Sequence, residues 1–142
     1  MTQIARPVPV TDDPDTAGHF EAAARGEIAI CVCSVEGNSV HPPRAICDRC
    51  FAPTSWLTVA PLARVVTHTV VGVPIHPAFT PPYTIVLVEL VDRPEVRLIG
   101  QLAGAHELPA GTPMRARFDD VDGVVVPNWE PTDSEKGRRG AG

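Results

Sequence analysis

The chain has 142 residues, 44% of them hydrophobic, and a formal net charge of −5 at pH 7. This length predicts one domain, or one domain with a small appendage, that can bury a core without disulfides. The acidic balance and the single lysine, Lys136, argue against a nucleic-acid binder, which needs clustered Lys and Arg. The N-terminus lacks the apolar core of a signal peptide, and every apolar run is too short to cross a membrane. We therefore expect a cytoplasmic protein with reduced thiols.

Residues 1–26 are predicted to form an extension followed by a short helix. Asp13 is a candidate N-cap, Pro14 suits the first helical position, and Gly26 is a candidate stop. One thin apolar stripe follows the helical period and consists of Ala17, Phe20, Ala23 and Ala24. A helix with so little apolar mass is marginal alone. The helix is therefore expected to pack either on the protein's own barrel or on a partner.

Residues 55–130 have the composition of a small all-β domain. Short β-branched runs alternate with Pro- and Gly-rich turns, and Tyr83–Val91 is the most apolar run and the expected central strand. We count five strands: Trp56–Ala60 with Ala63–Val71 as one bent first strand, Tyr83–Val91, Val96–Leu102, Met114–Phe118 and Val124–Trp129. Five strands in this length favour a closed barrel of the OB type. The polar residues 131–142 are predicted to be a disordered tail.

Between these parts, residues 27–54 hold all four cysteines and are predicted to form a zinc-ribbon-like segment. Cys47 and Cys50 have the C-x-x-C spacing with which two thiolates chelate one tetrahedral ion. Upstream, Cys31 and Cys33 are spaced C-x-C, which is a poor knuckle because the turn between the ligands is missing. The better register pairs Cys33 with Glu36, since a carboxylate can also ligate zinc.

The predicted metal ligands are thus Cys33, Cys47 and Cys50, with Glu36 or Cys31 as the fourth. His41 is a further candidate for that position. Two other interpretations stay open, an empty ribbon with packed free thiols and a redox pair at Cys47 and Cys50. The redox pair lacks the helix N-terminus that would lower a thiol pKa.

The order of these motifs resembles a known family. A helical segment ending F-E-A-A-A-R-G-E is followed by a strand, a glycine-terminated knuckle and the element Pro42–Cys50 (P-P-R-A-I-C-D-R-C). With His76-Pro77-Ala78-Phe79 and Phe118–Asp122, this arrangement is similar to the domain-of-unknown-function family thirty-five. The resemblance implies an N-terminal helix, a rubredoxin-like zinc ribbon and a C-terminal OB-fold. In that family the first knuckle is C-x-x-C-G, and its second cysteine falls on Glu36 here.

The resemblance also implies a partner. Proteins of this family associate with thiolase-superfamily enzymes, so we expect a hetero-oligomer with a thiolase-like acyltransferase or aldolase. The expected role is to help shape the enzyme's acyl-CoA site, in C–C bond cleavage or formation and in steroid or lipid metabolism. The sequence offers no nucleophile–base set, so we expect no activity from this chain alone. An OB-fold protein that binds single-stranded nucleic acid is the alternative function.

Five residues are predicted to contact the partner or its acyl-CoA. His76 lies in the Pro-rich loop between the first two barrel strands, a position that often carries contacts in OB-folds. The aromatic side chains of that region are candidate interface anchors. Arg44, stiffened by two preceding prolines, either pairs with a carboxylate or clasps the ribbon to the barrel. The predicted contacts are His76, Phe79, Tyr83, Phe20 and Arg44.

Overall fold

The computed structural model describes residues 4–132, which form one helix and seven strands. The elements in chain order are α1 (Ala17–Ala24), β1 (Ile28–Cys33), β2 (Thr54–Val59), β3 (Leu62–Val71), β4 (Tyr83–Leu90), β5 (Arg97–Ala103), β6 (Pro113–Val121) and β7 (Val124–Pro131). The fold is therefore mainly β, as predicted. The predicted disordered tail lies almost entirely beyond Thr132, outside the described residues.

Strands β3 to β7 form one five-stranded antiparallel sheet in the order β5-β4-β3-β6-β7. Its two edge strands meet. A Cβ built on Gly100 of β5 would lie 2.8 Å from Cδ1 of Trp129 on β7, and the Gln101 N–H donates to Asn128 Oδ1 at 3.0 Å. The sheet thus curls until β5 and β7 touch, which confirms the predicted five-stranded OB barrel. The middle strand of this order is β3, and the expected central strand, β4, lies next to it between β3 and β5.

The segment predicted as one bent first barrel strand forms two separate strands, β2 and β3. Thr54–Val59 pairs antiparallel with β1 over the full length of both strands, from Ile28 opposite Val59 to Cys33 opposite Thr54. The chain then turns through Pro61 and enters the barrel as a separate strand. The prediction that the two runs form one bent barrel strand was wrong, because β2 pairs with β1. Pairing with a distant segment leaves no local mark in the sequence.

Strand β1 is buried on both faces and joins two cores. Ile28, Ile30 and Val32 belong to the barrel core, which also contains Leu90, Met114 and Trp129 among its thirteen buried members. The alternate residues Cys31 and Cys33 belong to a second, small cluster with Val40 and Cys47. The period of two along a strand separates these sets, and it confirms that Cys31 and Cys33 point to the same face.

The helix is shorter than predicted and packs on its own chain. Thr16 precedes it as the N-cap, while Asp13 accepts hydrogen bonds from the Thr16 and Ala17 N–H groups in a turn before the helix. Gly26, with φ +73°, ends it as expected. The buried positions are Ala22 and Ala23 rather than the whole predicted stripe. Of the two alternatives for the helix, packing on its own chain or on a partner, the burial of Ala22 and Ala23 supports packing on its own chain.

Candidate functional site

The structure gathers three of the predicted metal ligands in one place. The Sγ atoms of Cys33, Cys47 and Cys50 all lie within 4.8 Å of one another, and those of Cys33 and Cys50 are 3.5 Å apart. Cys33 and Cys47 are buried, whereas Cys50 is exposed. Tetrahedral zinc with bonds of about 2.3 Å to sulfur places its ligands about 3.8 Å apart. The observed spacing and the three thiols therefore fit three corners of a zinc site.

Backbone groups favour the thiolate form that a metal requires. The Glu36 N–H lies 3.5 Å from Cys33 Sγ, and the Arg49 N–H lies 3.5 Å from Cys47 Sγ. Hydrogen bonds from the N–H groups of Glu36 and then Val35 lower the pKa of the Cys33 thiol to about 7.

The candidates for a fourth ligand lie outside this cluster. Cys31 is buried nearby, but its thiol donates to the Arg44 carbonyl at 3.4 Å. His41 Nε2 is 2.9 Å from the Arg97 carbonyl on the barrel. Glu36 is exposed, and its carboxylate is not among the gathered ligand atoms. Among residues 4–132, the group of metal-ligating side chains therefore has three members.

The ribbon is fastened to the β4–β5 hairpin by polar contacts. The Arg93 guanidinium donates to the Gly37 carbonyl at 3.1 Å and to Ser39 Oγ at 3.0 Å. The Ser39 hydroxyl in turn donates to Glu95 at 2.9 Å. These contacts, together with that of His41, form the clasp between ribbon and barrel. The sequence had suggested Arg44 for this role. Arg44 is exposed and takes part in the ribbon through its carbonyl, which accepts from the Thr54 hydroxyl.

A second feature is an aromatic ladder on the loop between β3 and β4. The rings of His76 and Phe79 are 5.6 Å apart, and those of Phe79 and Tyr83 are 6.0 Å apart. The Arg6 guanidinium lies 5.0 Å from the centre of the Phe79 ring, in cation–π range. Three of the five predicted contact residues thus form one surface, and Arg6 was missed because nothing local links it to Phe79.

Beside the ladder lies a cavity of about 260 Å³ lined by Arg6, Phe79, Tyr83, Arg117 and Asp119 among others. Arg117 holds Asp119 through three hydrogen bonds of 2.9 to 3.1 Å, and Asn128 donates to the same carboxylate at 2.7 Å. The hydrogen bonds from Arg117 and, to a smaller extent, from Asn128 lower the pKa of Asp119 below its ordinary value, although burial of the carboxylate acts in the opposite direction. This ion pair fixes one wall of the cavity.

Phe20 lies away from the ladder, on α1. Its ring meets His19 edge-on at 5.3 Å, and both residues are partly buried. His19 Nδ1 is 3.4 Å from the Ala29 carbonyl, and burial lowers the pKa of this histidine. The sequence around His19 contains no motif of a functional site, so His19 was not among the predicted residues.

Comparisons with known proteins match both the fold and the ribbon. A family model described as the ChsH2 C-terminal OB-fold domain matches residues 56–119. The solved structure named Ltp2-ChsH2(DUF35) aldolase superposes with a TM-score of 0.76 and 29% sequence identity. That match covers 89% of this chain and 98% of the other chain. The chain is thus similar to a DUF35 protein over most of its length.

Two further proteins are similar to this chain. The probable enoyl-CoA hydratase alpha subunit of Thermomonospora curvata is 37% identical over 122 residues. The match covers 82% of this chain but 37% of that relative, so the chain spans little more than a third of its length. A DUF35 protein of unknown function from Sulfolobus solfataricus shares the fold, with a TM-score of 0.53 and 17% identity over 80% of this chain and 84% of that one.

Between residues 4 and 132, the single helix has eight residues, too few to span a membrane.

Proposed function

We propose that this chain is an accessory subunit that binds an acyl-CoA enzyme and forms a hetero-oligomer with it. The observation that carries the proposal is the match over 98% of a chain in the Ltp2-ChsH2 aldolase structure. The relative named as a subunit of an enoyl-CoA hydratase supports the same class of substrate.

The finer proposal names the enzyme as a thiolase-like aldolase or acyltransferase. Its reaction would cleave or form a C–C bond on a CoA thioester, in steroid or lipid metabolism. The resemblance in sequence supports this choice, and the name of the similar structure, an aldolase, agrees with C–C bond chemistry.

We assign the contact with the partner or its acyl-CoA to the aromatic ladder of His76, Phe79 and Tyr83. Aromatic side chains supply large contact area at a low cost in side-chain entropy, which is why they dominate interfaces. The prolines around the loop restrict its conformations further. Phe20 and Arg44, which lie on α1 and the ribbon, are proposed as separate contacts with the same partner.

We also propose that Cys33, Cys47 and Cys50 hold zinc. The ion would supply folding energy to the ribbon, whose own core is small.

Affinity capture with the tagged chain from its native extract tests the function. We expect mass spectrometry to identify a thiolase-like enzyme as the main partner. The His76→Ala/Phe79→Ala double variant should lose most of that partner, whereas Ile99→Ala, which removes an exposed side chain from β5, should retain it. Recovery of the chain without any acyl-CoA enzyme would contradict the proposal.

The nucleic-acid alternative predicts a different result in a simple assay. An OB barrel that stacks bases on His76, Phe79 and Tyr83 would bind a single-stranded oligonucleotide with steep salt dependence. We expect no binding at low salt, because the chain has a net charge of −5.

A further inference from the structure

The two knuckles of the ribbon have the same backbone conformation. In the second knuckle, the Phe51 N–H donates to the Cys47 carbonyl at 3.0 Å, and Phe51 has φ +61°. In the first knuckle, the Gly37 N–H donates to the Cys33 carbonyl at 2.9 Å, and Gly37 has φ +74°. In both, the closing residue comes four positions after a cysteine and adopts the left-handed conformation. The backbone of the first knuckle therefore has the complete knuckle conformation.

The knuckles differ at one side chain. Three positions after its first cysteine, the second knuckle has Cys50 and the first has Glu36. Glu36 therefore stands at the place from which a fourth thiolate would reach the ion. The Glu36 N–H points to Cys33 Sγ, with 3.5 Å between nitrogen and sulfur. Its side chain is exposed and lies outside the cluster of ligand atoms.

No other side chain in the described part of the chain completes the set. Cys31 donates its thiol to the Arg44 carbonyl, and His41 is engaged with the Arg97 carbonyl. A structural zinc site is closed by four protein ligands, whereas a site with three protein ligands keeps an open position for solvent. The exposed Cys50 marks the side of the cluster that solvent can reach.

We propose that the ribbon is a three-thiolate metal site whose fourth position is open and holds an exchangeable water. A small thiol can replace that water, because zinc and cobalt ions accept thiolate sulfur readily. This inference rests on the zinc assignment in the proposed function. It depends on neither the identity nor the existence of the enzyme partner.

Cobalt(II) substitution of the purified full chain tests the inference, because the absorption of cobalt bound to sulfur reports the number of thiolates. We expect a three-thiolate spectrum that changes when 2-mercaptoethanol is added. Cys31→Ser and Glu36→Gln should leave the spectrum and the affinity unchanged, whereas Cys47→Ser should abolish the spectrum.

Glu36→Cys is the sharpest variant, because it adds a thiol to a knuckle that is already formed. We expect a four-thiolate spectrum, an affinity for cobalt and zinc higher by roughly 100-fold or more, and no response to 2-mercaptoethanol. Circular dichroism of each variant checks that the fold is retained.

Several results would overturn the inference. These are a four-thiolate spectrum in the unaltered chain, a tenfold or greater loss of affinity in Cys31→Ser or Glu36→Gln, or no cobalt binding at all. Each can occur while the chain still captures an acyl-CoA enzyme, so failure here is distinct from failure of the proposed function.

Discussion

The two faces of β1 support cores of very different size. The barrel side packs thirteen buried residues, mostly large aliphatic side chains and Trp129. The ribbon side packs four buried residues, of which three are cysteines. Burial of apolar area contributes about 25 cal/mol per Å², so burial stabilises the barrel side far more than the ribbon side. The ribbon depends instead on its clasp, on the strand that it shares with the barrel and on the metal that we propose.

The largest effect is expected from the barrel core. Trp129 is fully buried, so Trp129→Ala should lower the free energy of unfolding by about 3 to 5 kcal/mol, through lost burial and a cavity. Urea denaturation followed by circular dichroism measures this loss. Ile99→Ala, at a site that is 69% exposed, should cost little. A loss below about 1 kcal/mol for Trp129→Ala would contradict the assignment of this core as the main source of stability.

Closure of the barrel gives the next effect. A methyl group on Gly100 would lie 2.8 Å from Trp129 Cδ1 and 3.0 Å from its backbone nitrogen. Gly100→Ala should therefore separate β5 from β7 and cost about 1 to 3 kcal/mol by overpacking. Gly72→Ala is the matched control, since nothing lies within 4 Å of its added methyl group. Equal thermal stability of the two variants would show that β5 and β7 do not touch.

The clasp should affect the ribbon and leave the barrel intact. Arg93→Ala removes hydrogen bonds to the Gly37 carbonyl and to Ser39, at a cost of about 1 kcal/mol. Hydrogen exchange should become faster at residues 37–41 and remain unchanged in β4 and β5. Arg64→Ala, at an exposed position on β3, is the control. Faster exchange throughout the barrel would mean that the two regions form one cooperative unit.

The smallest effect concerns pH and the Arg117–Asp119 pair. The folded-state pKa of Asp119 is lowered, so the pair stabilises the fold fully above the ordinary carboxyl pKa near 4. That contribution is lost as pH falls through the lower folded value. Asp119→Asn should therefore be less stable than the unaltered chain at pH 6, and the difference should shrink below pH 4. A difference that stays constant over this range of pH would contradict the ion pair.

The sequence predicted the barrel well because its signals are local. Alternation along Tyr83–Leu90 places Thr84, Val86, Val88 and Leu90 inside, and such alternation is visible without any knowledge of the fold. The C-x-x-C spacing of Cys47 and Cys50 is equally local. The structure has a strand at Tyr83–Leu90 and brings Cys47 and Cys50 together in the cysteine cluster.

The parts that the sequence could not predict depend on contacts between distant residues. The pairing of β1 with β2 joins segments that are separated by the whole ribbon. The contact of Arg6 with Phe79 and the clasp by Arg93 span 73 and 56 positions. A single charged residue carries no mark of its partner, so these contacts required the three-dimensional structure.

Reconstitution tests the central claim, that this chain is a subunit of an acyl-CoA enzyme, most directly. The enzyme identified by capture is purified alone, mixed with this chain and examined by sedimentation velocity and by turnover of its acyl-CoA substrate. We predict one hetero-oligomeric species and faster turnover than with the enzyme alone, with both effects reduced by His76→Ala/Phe79→Ala. Two species that sediment independently, with turnover unchanged by the chain, would contradict the account.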